Sequence, residues 1–159
     1  MYDIGYNRES AADYAARWAF GRNPLYHNFD ELGGDCTNFI SQCIFAGCKV
    51  MNVTKDVGWY YYSLNSRAAA WSGVEYLHSF LVNNGGEGPY GEEKPIEQLS
   101  AGDVIQLGGA DGFYHSCLVI KPGRIPLIAA HTNDAYNIRL DMYSYEKARG
   151  LHILGARKY

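Results

Sequence analysis

"GGDCTNFISQCIFAG", residues 33–47, decides how the rest of the chain is read. Asp35 is a favoured N-cap residue, Phe39, Ile40, Cys43 and Ile44 recur at the spacing of one buried helical face, and Gly47 ends the run. The stretch predicts a helix that opens with an acid and a cysteine. With Asp35 as the cap, Cys36 falls in the first turn, where unpaired N–H groups lower a thiol pKa and offer donors to an oxyanion. Packing gives a plainer account: Cys36 precedes Phe39 and Ile40 by three and four residues, and free cysteine is among the most buried residue types. A base elsewhere in the chain is needed to favour chemistry.

Upstream, "NRESAADYAARWAF" (7–20) predicts a helix, with Tyr14 and Trp18 one turn apart and Gly21 and Pro24 as its stop. "GRNPLYHNFDELGG" (21–34) then reads as a loop. Downstream, "WYYY" (59–62) has no assignable period. Ser72 and Glu75 form an S-x-x-E capping box, flanked by Trp71 and Tyr76 at the positions of a hydrophobic staple, and predict a third helix over Gly73–Asn84. The glycine-rich, acidic segment from Gly85 to Gly102 reads as a functional loop or lid. Short apolar runs follow: "DVIQL" (103–107), "FYHSCLVI" (113–120), "PLIAAH" (126–131) and "LHILGAR" (151–157) predict strands. Helices first and hairpin-linked strands after argue for one α+β domain over residues 1–159, with an antiparallel sheet.

Composition narrows the function. The 159 residues are 47% hydrophobic and 19% charged, which suits a packed core. Fourteen basic against 17 acidic residues, a net charge of -3 and no long Lys or Arg run argue against a nucleic-acid partner. The opening "MYDIGYNRESAADYAARWAF" lacks the basic n-region and unbroken apolar stretch of a signal peptide, and no later window approaches transmembrane length. The reading leaves the compartment open: cytoplasmic as given, or the cell envelope if the chain is cut from a longer secreted precursor. Cys36, Cys43, Cys48 and Cys117 contain no C-x-x-C pair, so no metal site is expected.

The base is sought among five histidines. His27 lies in a polar loop, His78 among amphipathic helix positions and His152 in a terminal strand, where packing or solvent explains them. His115 interrupts an apolar run, where a polar group must find a partner or cost stability. His131 ends the next run. A three-residue hairpin loop, Pro122–Arg124, would pair residues whose numbers sum to 246 and set His115 opposite His131; a two- or four-residue loop would give 245 and put His131 on the other face. Asn133 shares the parity of His131. Cys117 shares the face of His115, but nothing activates a mid-strand thiol. Spacing alone leaves two structural histidines about as good a reading as a triad.

These residues carry a resemblance. "DCTNFISQC" with the upstream "NPLY", the following "GWYYY" and "AAAWS", then "AGDVIQL", "YHSCLVI" and "HTNDAYNIRL" resemble the amidase-domain family of bacteria, which is similar to papain-like cell-wall hydrolases of the NlpC and CHAP types. The resemblance runs from about Tyr6 to the C-terminus. It implies a papain-like fold with the nucleophile at a helix start on an antiparallel sheet, Cys36 as that nucleophile, His115 as the base, His131 as the orienting third residue and Asn133 as its alternative, with Asp35 in support. It also implies the register summing to 246. The Cys-to-His interval is much shorter than in papain, and papain's glutamine has no counterpart, which leaves the backbone at Cys36 as the oxyanion donor.

The implied reaction is cleavage of an amide through a thioester, without metal or organic cofactor, on peptidoglycan or related peptides. Three other readings compete with it. One is a catalytically inactive binding module on the same scaffold, one an acyltransferase in which an amine intercepts the thioester, and one a structural domain with chance Cys and His placement. Most of the aromatic residues, Trp59, Tyr60–Tyr62, Trp71 and Tyr114 among them, read as packing and not as cleft walls. Oligomeric state is not legible.

Overall fold

The chain carries its helices in its first half and most of its strands in its second. A computed structural model describes residues 1–159. After a short β1 (Tyr2–Asp3) come α1 (Arg8–Trp18) and α2 (Cys36–Cys48), then a small hairpin of β2 (Tyr61–Ser63) and β3 (Ser66–Arg67), and two helices, α3 (Ala69–Ser72) and α4 (Val74–Asn83). The second half is β4 (Gly88–Lys94), β5 (Val104–Gly109), β6 (Gly112–Lys121), β7 (Leu127–Ala130), β8 (Ala135–Arg139) and β9 (Lys147–Lys158). The chain is thus α+β, with a seven-stranded antiparallel sheet ordered β1-β9-β5-β6-β7-β8 and β4 paired to β9.

Strand alternation divides the core in two. Val104, Leu118, Ala129, Leu151 and Ile153 face the helices and pack with Ala15, Phe39, Ile40, Cys43, Ile44, Leu77 and Leu81. Ile105, Leu107, Cys117, Val119, Ile128 and Ala130 form the other face, covered by Leu99, Ala135 and Leu140. Burial on both faces explains why "FYHSCLVI" is almost continuously apolar. The aromatic residues Trp59, Tyr61 and Trp71 belong to the first core, with the two indoles 4.7 Å apart.

Four local expectations are corrected. The segment from Gly85 to Gly102 is no lid: Gly88–Lys94 pairs with seven residues of β9, whose length supplies the partner that the polar composition hid. The Ser72–Glu75 box does not form, because Ser72 Oγ accepts from Arg67 Nε and Glu75 Oε1 from the Phe113 N–H. Asp35 is the N-cap residue of α2 as expected, its carbonyl accepting from the Phe39 N–H, but its side chain makes no cap hydrogen bond. The β6–β7 register is neither of those considered. Lys121 pairs with Leu127 across a five-residue loop, and a shift between Val119 and Lys121 gives Val119 opposite Ile128 and Leu118 opposite Ala129. Pro126 has no N–H to donate at the position the shorter loop would have used.

Candidate active site

The register shift decides where the histidines go. Paired numbers now sum to 247, so by parity His131 falls on the helix side of the sheet and His115 on the other. His131 is 1% exposed and its ring stacks on Phe39 in the first turn of α2, with centroids 3.9 Å apart. Its Nδ1 lies 2.5 Å from Asp35 Oδ2, and its Nε2 lies 2.8 Å from the Trp18 carbonyl. Both ring nitrogens are thus engaged away from His115.

The Asp35 side chain works in the same place, but not by capping the helix. Its Oδ1 accepts from the Phe29 N–H and from Asn38 Nδ2, each at 2.9 Å. Burial pushes its carboxyl up, and the hydrogen bonds from His131, Asn38 and Phe29 outweigh that and hold it below the ordinary carboxylate range. The carboxylate therefore ties the start of α2 to the end of β7 and to the loop ahead of the helix.

Cys36 is the first residue of α2 and 7% exposed, with Sγ 3.7 Å from Thr37 Oγ1 and 3.9 Å from the Tyr114 carbonyl. His115 is also 7% exposed. Both line one cavity of about 230 Å³, together with Gly33, Gly34, Leu107, Tyr114, Thr132, Asn133, Tyr143 and Ser144. Among the sequence candidates the fold brings Cys36, His115 and Asn133 to this cavity; His131 and Asp35 lie behind it. Tyr143 lies against the His115 ring at 5.6 Å between centroids. The His115 Nε2 is buried without a hydrogen-bond partner, and no hydrogen bond joins His115 to Cys36.

Electrostatically the pair is neutral at rest. Burial pushes the Cys36 thiol up, against the opposing pull of the Ser116 N–H and of Thr37, and burial pushes His115 down. The lowered thiol pKa expected of a helix start is therefore overridden by desolvation. Cys117 lies fully enclosed in the second core, with its thiol pushed higher still by burial and by Cys36. All four cysteines are free thiols.

Behind Cys36 runs a chain of polar groups that the sequence reading missed. Thr37 Oγ1 and Ser116 Oγ are 2.9 Å apart, Gln106 Nε2 donates to Ser116 Oγ at 3.3 Å, and Arg149 Nε donates to Gln106 Oε1 at 2.8 Å. Thr37, Gln106 and Ser116 are all buried. Gln106 interrupts "DVIQL" as His115 interrupts "FYHSCLVI", so the same signal was present. The remaining histidines are accounted for by packing and pairing: His152 Nδ1 lies 2.7 Å from Asp103, His78 Nε2 2.6 Å from Glu93, and His27 packs edge-on to Phe29.

An α+β fold with a thiol and an imidazole on one small cavity defines a class, and comparison with known proteins gives it a family. Residues 5–154 match the family described as "Putative amidase domain", and the chain belongs to it. Membership indicates amide hydrolysis as the class of reaction. The chain is 33% identical over 147 residues to "Uncharacterized protein YhbB" of Bacillus subtilis (strain 168), a match covering 89% of this chain and 45% of that protein. The chain thus spans less than half the length of this relative. No solved structure matches it. No group of His, Cys, Asp and Glu is arranged to hold a metal ion, and no helix is long and apolar enough to cross a membrane.

Proposed function

We propose that the protein is a cysteine-dependent amide hydrolase of papain-like type, with Cys36 as nucleophile, His115 as general base and acid, and Asn133 as the third polar group. The observation that carries this reading is the shared cavity of Cys36 and His115, with the thiol at the first position of a thirteen-residue helix. The N–H of Cys36 has no intrahelical acceptor by geometry, so it is the donor available to an oxyanion.

Because both groups rest neutral, the proton moves as the bond forms. His115 takes the thiol proton while Sγ attacks the amide carbonyl; the C–N bond then breaks and the amine leaves with the proton from His115, giving a thioester. Water attacks next, His115 takes its proton, the C–S bond breaks and the thiol is restored. The Thr37–Ser116–Gln106 chain holds the thiol from behind. Asn133 replaces His131 in the third role because it lines the cavity, whereas both nitrogens of His131 are committed.

Peptides of peptidoglycan are the substrate this family resemblance suggests. The test is incubation of purified peptidoglycan peptides with the protein, with mass spectrometry of products and of the intact enzyme. New amine and carboxyl termini, a thioester adduct on Cys36, and a loss of at least about a thousandfold in Cys36→Ala and His115→Ala are expected. Undiminished cleavage by Cys36→Ala would overturn the proposal.

A further inference from the structure

The Cys36 cavity has two lips that come from distant parts of the chain. One is Gly33–Gly34, just ahead of α2; the other is Thr132–Asn133, the tip of the β7–β8 connection. All four residues are left-handed, with φ of 88° and 100° at the glycines and 67° and 57° at Thr132 and Asn133. Glycine adopts this conformation freely, but a β-branched threonine does so only where its surroundings impose it. The lips also meet: a methyl group on Gly34 would come within 3.4 Å of Thr132 Oγ1.

One side chain reaches the residues that flank both lips. The Arg22 guanidinium donates to both oxygens of Asp134, at 3.0 and 2.9 Å, and to both oxygens of Asp30, at 3.1 and 3.2 Å. Its Nη1 lies 3.2 Å from His131 Nε2, and its Nε lies 3.5 Å from Asp35 Oδ2. Asp30 and Asp35 bracket the glycine lip, and His131 and Asp134 bracket the Thr132–Asn133 lip. A planar cation with a fork of donors suits such bridging, which a lysine point charge cannot reproduce.

We propose that Arg22 is a positioning residue that pins the two lips of the Cys36 cavity together and so sets the width of the opening through which an acyl group reaches the thiol. The proposal rests on Cys36 as the nucleophile. It also bears on the substrate: no Asp, Glu, Lys or Arg lines the cavity, so a pinned opening selects a slender, uncharged acyl side chain.

The test alkylates native protein at Cys36 with iodoacetamide and with a bulky N-aryl maleimide, read by peptide mass spectrometry, alongside amide hydrogen exchange over residues 30–36 and 131–135. In Arg22→Ala the maleimide rate is expected to rise by about tenfold or more, while the iodoacetamide rate changes by less than about twofold. Both lips exchange faster together, Asp134→Asn gives a smaller effect of the same kind, and Arg22→Lys does not restore the wild-type ratio. Asp134→Asn keeps the test sound if Arg22→Ala fails to fold, because it removes one arm only. A ratio of rates unchanged in both variants, or exchange that rises at one lip alone, would overturn the pin. Exchange is independent of thiol chemistry. A Cys36 that refuses both reagents in the wild type even above the ordinary thiol range therefore counts against the nucleophile, and the exchange of the two lips still decides the pin.

Discussion

His131 and Asp35 form a buried pair across 96 residues of sequence, Nδ1 to Oδ2 at 2.5 Å with each side chain 1% exposed. The ring also meets the Trp18 carbonyl and the face of Phe39, so this single contact joins α1, α2 and the end of β7. The N-terminus of α2, and Cys36 with it, is located by that junction.

Removing one partner of such a pair leaves the other buried without its nearest counter-group, which costs up to roughly 3–5 kcal/mol. Asp35→Ala and His131→Ala are each expected to lose stability on that scale in chemical denaturation, and the double variant to lose less than the sum. A loss below about 1 kcal/mol in either single variant would place the junction among ordinary surface contacts.

Acid acts on the native state through two of these groups. His115 is pushed down by burial, so just below the ordinary histidine range, about 6.5, the unfolded chain binds a proton that the native one does not, and stability falls as pH falls. Asp35 is held below its ordinary value of 3.8, so its contribution is complete above that pH and is lost as pH falls through the lowered native value. Melting temperature against pH is expected to decline in two steps, and His115→Gln to remove the upper one. An unchanged profile in that variant would contradict the assignment.

A related expectation concerns the thiol. Because Cys36 is pushed up and carries no ion pair with His115, iodoacetamide alkylation should follow thiolate formation above the ordinary thiol range of about 8.5, with little change in midpoint in His115→Ala. A plateau persisting to pH 6, abolished by that substitution, would mean a preformed thiolate–imidazolium pair.

Thr132 stores backbone strain at its φ of 67°. Thr132→Gly removes the β-branched clash and is expected to raise stability by about 1 kcal/mol, while thinning the lip over Cys36. A destabilised Thr132→Gly would mean that the threonine side chain contributes more packing than its backbone costs.

Much of this architecture was legible. Period and stop signals located α1 and α2 within a residue or two, and the four apolar runs each overlap a strand. β4 was not legible, because "GPYGEEK" owes its conformation to a neighbour, β9, and not to its own composition. Nor was the position of His131, since a single β-irregularity between Val119 and Lys121 reverses parity and nothing local announces it. Arg22 sat in a loop without period, and its importance comes from Asp30, Asp35, His131 and Asp134, which only the folded chain gathers.

The bonds that frame the cavity link residues 79 apart at Thr37–Ser116, 96 apart at Asp35–His131 and 112 apart at Arg22–Asp134. Each closes a long loop whose entropy opposes the contact, so the cleft is built from the contacts of high sequence separation. A nascent chain that has made β6 already holds its thiol and its imidazole, but the wall opposite them arrives only with the β7–β8 turn. Competence at the cleft is therefore a property of the finished topology, and the exposed thiol of an unfinished chain has no lip to shield it.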